Sequence, residues 1–544
     1  MKTIALESDK KTDFLNDRYI WILLIISLSV RIYLSFFTYV IKNDSIAFMQ
    51  NARYFASGDF LSGLRHDYHP LYSFIMAVLY KVIPNMELSG TIVSVFFGTL
   101  TVIVFYLIGK NVFDQKVSFV SSIILAFHPY AVRFSADIIS ESTYFFFFIS
   151  AFGLGFFAII NRKLFLFALT GICTAFAYLT RPEGIGILFI VAGWYLFKDI
   201  VKIKLIWKEK LVSILILIVS FLVFSMPYLV YIKKDTGHWD LTKKKEVTDL
   251  AGIRKVIDTL KNDRLVKEYS NKTKKSDRDI VKQTTAGKSD FKIHLNGILH
   301  VIKKYISTFH PFLFIFFIIG VINWTGISKK RFFGFYVASI ILFYLIILYR
   351  LNLTYLTHGD NIYQYPSRRH LMPLVIPAIF CVGIGMHTTG TWMHEKFQSN
   401  SLIVVFKEFL RSAWTIQLIV LMVVVSVILP KTLKPQRVDK SGIKIVGQWI
   451  KENSHKSFPA ILSASARNAY YAGGKHVQME SINGALAFGR ANKADYIFIS
   501  HSEYEAIEEE LQQAVRNKKI ILVYKYIDKN SLNGHNVFLY KVIY

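Results

Sequence analysis

Acidic and basic side chains that could carry chemistry are concentrated in residues 43–70, directly after the first long apolar segment. Asp44 stands near the start of this stretch. A carboxylate there is partly desolvated, which raises its basicity and suits it to deprotonate an acceptor hydroxyl or amine. Asp is also a favoured N-cap and the residues that follow have helical spacing, so Asp44 as a simple cap is the alternative. Tyr54 and His69, from the same stretch, are predicted to contact substrate.

A second group of acids, Asp137 and Glu141, follows the third apolar segment at i, i+4 spacing. On a helix they would share one face, and near Asp44 they could bind sugar hydroxyls or a divalent cation, Mg²⁺ or Mn²⁺. Ordinary solvation in a loop is the alternative. Apart from that cation no cofactor is predicted, since the histidines have neither the accompanying cysteines nor the HExxH spacing of a zinc site.

Three arginines stand where they could hold an anionic group of a substrate. Arg368 and Arg369 directly precede the tenth apolar segment, at the level of lipid headgroups, and Arg181 lies in a hairpin between the fifth and sixth. A guanidinium fork matches phosphate oxygens, so a lipid-linked phosphate is the predicted ligand. Interfacial anchoring is the alternative for the first two. Tyr363, just upstream, is a further predicted substrate contact.

Positioning these side chains requires a membrane domain. Of the 544 residues 53% are hydrophobic, and the mean hydropathy of +0.38 is too high for a soluble protein. The net charge of +28 fits basic loops beside anionic membrane lipids, and no nucleic-acid partner is predicted. The candidate spans number eleven, at 20–42, 88–108, 117–134, 142–160, 164–180, 185–197, 211–232, 306–324, 332–351, 371–388 and 412–430.

The distribution of basic residues predicts the orientation of the chain. Short loops on the side of the N-terminus hold 19 Lys and Arg, and those on the opposite side hold 6. Residues 1–19 are therefore predicted to be a cytoplasmic tail of a multi-pass protein of the cytoplasmic membrane. The membrane domain, 20–430, then carries two large outer loops, 43–88 and 233–305. Within the first, residues 70–83 are too short to span and predict a re-entrant or interfacial helix.

Residues 431–544 have the pattern of a small α/β domain, predicted outside the membrane. Segments 459–465, 494–500, 519–527 and 536–544 have the composition of short strands, while 442–453 and 503–517 have helical periodicity. The two cysteines, Cys173 and Cys381, lie inside apolar runs and predict no disulfide framework.

Several short motifs occur in an order that is shared with a known family. They are Asp44 right after the first span, His69-Pro70 at the end of its loop, Ser140-Glu141 after the third span, the hairpin LTRPEG, and YPSRRHLMPLVIP at the start of a late span. In this combination the chain resembles the GT-C integral-membrane glycosyltransferases, in the branch with the protein O-mannosyltransferases and the lipid A aminoarabinose transferase. The resemblance extends over about residues 20–390.

The resemblance implies a polytopic helical fold and an inverting transfer of a sugar from a polyprenyl phosphate to a lipid, glycan or protein acceptor on the outer face. Asp44 would match the base. Asp137 or Glu141 would match the second acid, with Glu141 the closer fit. Arg368 or Arg369 would match the residue that holds the donor phosphate. Asp44 is followed by Ser rather than by a second acid, which leaves metal dependence and the exact subfamily open.

Two other classes compete with this interpretation. A transporter or lipid flippase should show repeated halves and broken helices at mid-membrane. No clear repeat is visible, and the polar groups gather on one predicted side. A polymerase or ligase of surface polysaccharide, which shares the lipid-linked substrate, stays open.

Overall fold

The computed structural model describes residues 16–197, 207–244, 290–324, 328–357, 366–399, 412–479, 492–527 and 535–543. In these ranges a bundle of long apolar helices is followed by a small mixed sheet. The helices of the bundle are α1 (Arg18–Phe36), α2 (Asn43–Ser57), α3 (Phe60–Gly63), α4 (Leu71–Tyr80), α5 (Met86–Val112), α6 (Gln115–Phe127), α7 (Pro129–Ser135), α8 (Glu141–Asn161), α9 (Leu164–Thr180), α10 (Gly186–Phe197), α11 (Trp207–Thr236), α12 (Asp290–Phe309), α13 (Pro311–Ile322), α14 (Ser328–Thr357), α15 (Arg368–Ser399) and α16 (Ala413–Leu433).

The helical segments confirm a multi-pass membrane fold. Among the described residues seven helices are long and apolar enough to cross a membrane, or nine if the bent pairs α6–α7 and α12–α13 each count as one span. All eleven predicted runs are helical. However, α9 and α10 have 17 and 12 residues and are short for a full crossing, so the expected number of eleven exceeds the seven to nine found.

His-Pro dipeptides at 69–70, 128–129 and 310–311 stand at helix boundaries. Proline has no amide hydrogen and disfavours helical geometry in the residue before it, so a continuous helix is interrupted there. The axis bends by 58° between α6 and α7 and by 99° between α12 and α13. After the first bend, α7 ends at Ser135, and a short turn that contains Asp137 leads to Glu141, the first residue of α8.

Helices α5, α8 and α15 form the centre of the bundle. The buried share of the residues in the most apolar stretch is 72% for α5, 72% for α8 and 83% for α15, but only 28% for α1. Phe105 of α5 stacks on Phe380 of α15 with ring centroids 3.8 Å apart. Helices α13 and α15 cross backbone to backbone at Gly320 and Gly385, where an added Cβ would collide with a main-chain carbonyl of the other helix. The buried α8 and α15 thus provide rigid supports for the polar groups at their N-termini.

The segments predicted as outer loops contain helices. Residues 43–88 form α2, α3, α4 and the start of α5, and α4 confirms a short helix within 70–83. In 233–305, α11 continues to Thr236 and α12 begins at Asp290, while residues 245–289 lie outside the described part. The predicted N-terminal tail is described only from residue 16.

The C-terminal part is a five-stranded sheet covered by helices on both faces. Its elements are α17 (Ser441–Asn453), β1 (Ala460–Ser463), α18 (Ala466–Tyr471), β2 (Lys475–Gln478), β3 (Tyr496–Ser500), α19 (His501–Arg516), β4 (Ile520–Tyr526) and β5 (Val537–Val542). The strand order is β2-β1-β3-β5-β4, with β2, β1 and β3 parallel and β5 antiparallel to both neighbours. Ile450 of α17 and Leu511 of α19 lie in separate cores on the two faces. The four predicted strands are confirmed. The short, polar β2 and the helix α18 were not predicted.

Candidate active site

Asp44 is the second residue of α2, and its carboxylate faces the bundle. The helix is preceded by Lys42, whose side chain makes no capping hydrogen bond. Asp44 instead forms an ion pair with Arg369, the second residue of α15, with 2.6 Å between Oδ2 and Nη1. The side chains are 27% and 35% exposed, so a substrate can reach both. Capping is therefore not the role of Asp44, although an acid in the first turn is favoured by the helix dipole.

A ladder of alternating charges runs inward from this pair, and we call it the ion ladder. Arg369 Nη1 lies 3.7 Å from Oε1 of Glu141, and the same oxygen accepts a 3.0 Å hydrogen bond from Arg181 Nη1. Arg181 Nη2 also pairs with Glu183 at 3.0 Å. The side chain of Glu141 is only 2% exposed, and a buried carboxylate is stable only when paired and hydrogen-bonded. The ladder thus fixes the N-termini of α8 and α15 relative to the hairpin after α9.

Tyr68 and Lys244 complete the surroundings of Asp44, and neither was predicted. The Tyr68 hydroxyl donates a hydrogen bond to the carboxylate, its ring packs on Phe48 at 4.7 Å, and Lys244 Nζ lies 5.0 Å from the ring centroid. The sequence did contain a hint of both residues, since Tyr68 belongs to the polar stretch 43–70 and Lys244 to the lysine-rich segment after α11. The sequence offered no way to place them together.

The pKa of Asp44 lies below its usual value. Burial raises it, but the charge of Arg369, the hydrogen bonds from Arg369 and Tyr68, and the charge of Lys244 together lower it further than burial raises it. The prediction that desolvation would raise the basicity of Asp44 is therefore wrong for this arrangement, because the guanidinium outweighs burial. At neutral pH the group is a carboxylate that can accept a proton once Arg369 moves away.

Asp137 belongs to a different cluster. Its side chain is 1% exposed, lies 3.0 Å from Lys42 Nζ and is bonded by both terminal nitrogens of Arg437. Burial raises its pKa, but Lys42 and Arg437 lower it further, so the pKa lies below its usual value. The residues after α7 form a turn rather than a helix, so Asp137 and Glu141 do not share a helical face.

A divalent cation at these acids stays a prediction. Asp44, Glu141 and Asp137 each contact a guanidinium or an ammonium group, and in the described ranges no three His, Cys, Asp or Glu side chains are grouped as metal ligands.

His69 is buried and lies outside the ion ladder, where it joins the loop before α4 to the end of α9. Its Nδ1 donates a 2.6 Å hydrogen bond to the carbonyl of Tyr178, and its ring packs edge-on against Tyr178 and Tyr228. Burial lowers the pKa of His69 to about 3, so the ring is neutral. Tyr54 lies ten residues after Asp44 on α2, about 15 Å along the axis at 1.5 Å per residue, so these two side chains are not brought together. Tyr363 lies outside the described residues.

Arg368 points to a second group of cations. Its guanidinium lies 5.0 Å from the ring centroid of Tyr130, and Lys431 Nζ lies 5.1 Å from the same ring. Arg133 and Lys304 are within electrostatic range of Arg368. In the described part of the chain no carboxylate lies within ion-pair distance of Arg368 or Lys431. We call Arg368, Lys431, Arg133 and Lys304 the Tyr130 cation cluster. Their positive charge suits an anionic ligand at the same end of the bundle as Asp44.

The fold defines the class of protein. The structure is similar to ArnT from Cupriavidus metallidurans bound to undecaprenyl phosphate, with a TM-score of 0.55 and 10% identity over 96% of this chain and 98% of that one. It is also similar to the Archaeoglobus fulgidus oligosaccharyltransferase in complex with zinc and sulfate (TM-score 0.54, 11% identity, 95% of this chain and 73% of that one). A further match is AglB of the same organism with an inhibitory peptide and a dolichol-phosphate (0.50, 11%, 96% and 73%). At such identities the matches establish a shared fold, the GT-C membrane-enzyme fold.

A family match narrows the class. Residues 67–231 match the family model of dolichyl-phosphate-mannose-protein mannosyltransferases. Together with the fold, this match indicates a multi-pass membrane enzyme of the GT-C glycosyltransferase superfamily. No curated protein sequence matches the chain.

Proposed function

We propose that this protein transfers a sugar from a polyprenyl-phosphate-linked donor to an acceptor on the outer face of the cytoplasmic membrane, with inversion at the anomeric carbon. The observation that carries the proposal is the accessible Asp44–Arg369 pair at the open end of the ion ladder. A carboxylate and a guanidinium in contact provide a proton acceptor and a phosphate ligand within one substrate length.

The donor phosphate is held by the Tyr130 cation cluster and by Arg369. Arg368 and Lys431 have no carboxylate within reach among the described residues, so an incoming phosphate meets charges that are not yet neutralised. Arg181 is 11% exposed and bonded to two carboxylates, which favours a supporting role in the ladder over direct phosphate contact. Lys244 stands near Asp44 and adds positive charge on the side of Tyr68.

Phosphate binding gives Asp44 its basicity. While Arg369 pairs with Asp44, the pKa of the carboxyl is held low and the group is a weak base. A phosphate that attracts Arg369 weakens this pair, and the burial of Asp44 then raises its pKa. The donor thereby activates the base only when it is bound.

The chemical step is then a direct displacement. The acceptor hydroxyl or amine attacks the anomeric carbon from the face opposite the phosphate, and Asp44 takes its proton. The bond between the anomeric carbon and the phosphate oxygen breaks, and its electron pair leaves with the polyprenyl phosphate. The cations around that phosphate stabilise the charge that develops on it.

Transfer from radiolabelled polyprenyl-phosphate sugars in proteoliposomes tests the proposal. Asp44→Asn should abolish label transfer to any lipid, glycan or protein acceptor while the protein stays folded. Asp59→Asn is the matched control, because Asp59 lies in the same stretch, caps α3 through the amide of Ser62, and Asn caps equally well.

Two results would contradict the proposal. One is a turnover of Asp44→Asn close to that of wild type. The other is label that crosses the bilayer while still attached to its lipid, independently of Asp44, which would show a flippase. Label that accumulates in long glycan chains would instead identify a polymerase or ligase that uses the same donor.

A further inference from the structure

The backbone that leads into α2 is held by the C-terminal part of the chain. Gln436 pairs with the segment on both sides, since its amide donates to the carbonyl of Phe37 at 2.9 Å and its carbonyl accepts from the amide of Tyr39 at 3.2 Å. Arg437 Nε donates to the carbonyl of Val40. Residues 37–40 are thus paired with a segment almost four hundred positions further along the chain.

Helix α18 and the residue before it hold Ile41 and Asn43. The hydroxyl of Tyr471 accepts from the amide of Ile41 at 2.9 Å, and Arg467 Nη1 donates to the carbonyl of Ile41 at 3.2 Å. Ser465 Oγ donates to Oδ1 of Asn43 at 2.6 Å. Every hydrogen bond in this set joins the α/β domain to the residues directly before Asp44.

Asp137 ties these parts to the bundle. Its buried carboxylate receives Lys42 from one side and the guanidinium of Arg437 from the other. Arg437 has φ 53° and ψ 36°, a left-handed conformation that non-glycine residues rarely adopt and that needs surrounding contacts to persist. We call Lys42, Asp137 and Arg437 the staple.

We propose that the staple positions Asp44 for catalysis, so that the C-terminal α/β domain is a working part of the active site. This inference rests on the proposed function of Asp44. Asp44 is two residues from Lys42, whereas its partner Arg369 is anchored on the buried α15. A shift of residues 40–43 therefore moves the carboxylate relative to Arg369 and to the bound acceptor. Asp137 and Arg437 are positioning residues, and Asp137 is not a second catalytic acid.

Arg437→Met and Arg437→Lys test the staple in the full-length enzyme. A misplacement of about 1 Å costs on the order of 100-fold in rate, so kcat of Arg437→Met should fall about 10- to 100-fold with little change in the KM of the donor. Arg437→Lys keeps a positive charge beside Asp137, so its kcat should be higher than that of Arg437→Met. Lys456→Met is the matched control, because it removes an exposed ion pair with Asp495 inside the same domain.

The pH profile separates positioning from a loss of folded protein. Arg369, Tyr68 and Lys244 act on Asp44, and Glu141 lies beyond Arg369. If the carboxylate leaves Arg369 in the free enzyme, the acid limb of kcat/KM moves to higher pH in Arg437→Met. A lower rate with an unchanged acid limb, in proportion to the fraction of folded enzyme, would overturn the inference.

Hydrogen–deuterium exchange provides a readout that needs no activity. Peptides covering residues 40–48 should exchange faster in Arg437→Met than in wild type or Lys456→Met, with the α/β domain itself unchanged. Exchange at the wild-type rate would overturn the inference. If wild type transfers no sugar, the proposed function fails by itself, and the exchange result still decides whether the staple orders the segment before Asp44.

Discussion

Asp44 and Arg369 come from helices that begin 325 residues apart, and each controls the chemistry of the other. The guanidinium keeps the carboxyl ionised, and the carboxylate keeps the guanidinium in place until a phosphate competes for it. Their partial exposure leaves the pair open to exchange of partners, unlike the buried contact between Glu141 and Arg181.

Arg369→Gln should shift the pH dependence of transfer. Without the guanidinium, the pKa of Asp44 rises, because the strongest of the interactions that lower it is removed. The base acts as the carboxylate, so activity is lost as pH falls through that pKa, and the acid limb of kcat/KM should move to higher pH. Arg368→Gln should raise the KM of the donor and leave the acid limb of kcat/KM at its wild-type pH, because Arg368 is not among the groups that act on Asp44. Equal profiles for the two variants would contradict these separate roles.

Glu141→Gln should destabilise the fold as well as slow transfer. Removing one partner of a buried ion pair typically costs about 3–5 kcal/mol, and here it leaves Arg181 with only Glu183. The free energy of unfolding, measured in detergent with denaturant, should fall by an amount of that order. Lys456→Met, which removes an exposed pair, should change it by less than about 1 kcal/mol.

Sequence motifs predicted Asp44, Glu141, Arg181 and Arg369, and the structure brings these four into one network. The motifs did not predict the lowered pKa of Asp44, because that depends on a partner in a distant helix. They also assigned Asp137 to the wrong surroundings, since its partner Arg437 lies 300 residues away, at the junction with the α/β domain. The assignment of catalytic roles to these residues stays a prediction.

At the scale of the elements, apolar runs predicted most of the long helices among the described residues. They did not predict α12, because its residues 290–305 fall within the segment that was predicted as an outer loop. Bends were harder, because the His-Pro dipeptides at 128–129 and 310–311 are visible in the sequence but the resulting angles depend on what packs in the bend. Strand β2 was missed because four partly exposed residues carry almost no alternation. Its parallel pairing with β1 is a tertiary property.

The crossing of α13 and α15 depends on glycine. Gly385→Ala would place a methyl group against the carbonyl of Phe316, forcing the helices apart at a cost of about 1–3 kcal/mol. The unfolding midpoint should fall by several degrees. Gly193→Ala, on α10 where nothing lies within 4 Å of the added carbon, should leave it unchanged or raise it. Equal midpoints would show that the helices can separate without cost.

At the scale of the whole molecule, the orientation in the membrane is the main remaining prediction. In a variant that lacks Cys173 and Cys381, Glu505→Cys in the α/β domain should react with a membrane-impermeant maleimide added outside right-side-out vesicles. Lys163→Cys, in the exposed loop between α8 and α9, should react only after the vesicles are opened. The reverse pattern would place the ion ladder on the cytoplasmic face.

The long separation between partners has a consequence for biosynthesis. At about 5–20 residues per second, a ribosome needs on the order of half a minute to proceed from Asp44 to Arg369, and Arg437 and α18 follow later still. A nascent chain therefore carries the acid in the membrane well before its guanidinium partner and its tether exist. Chains that terminate early contain Asp44 without Arg369 and without the α/β domain. They should therefore be inactive fragments rather than unregulated enzymes.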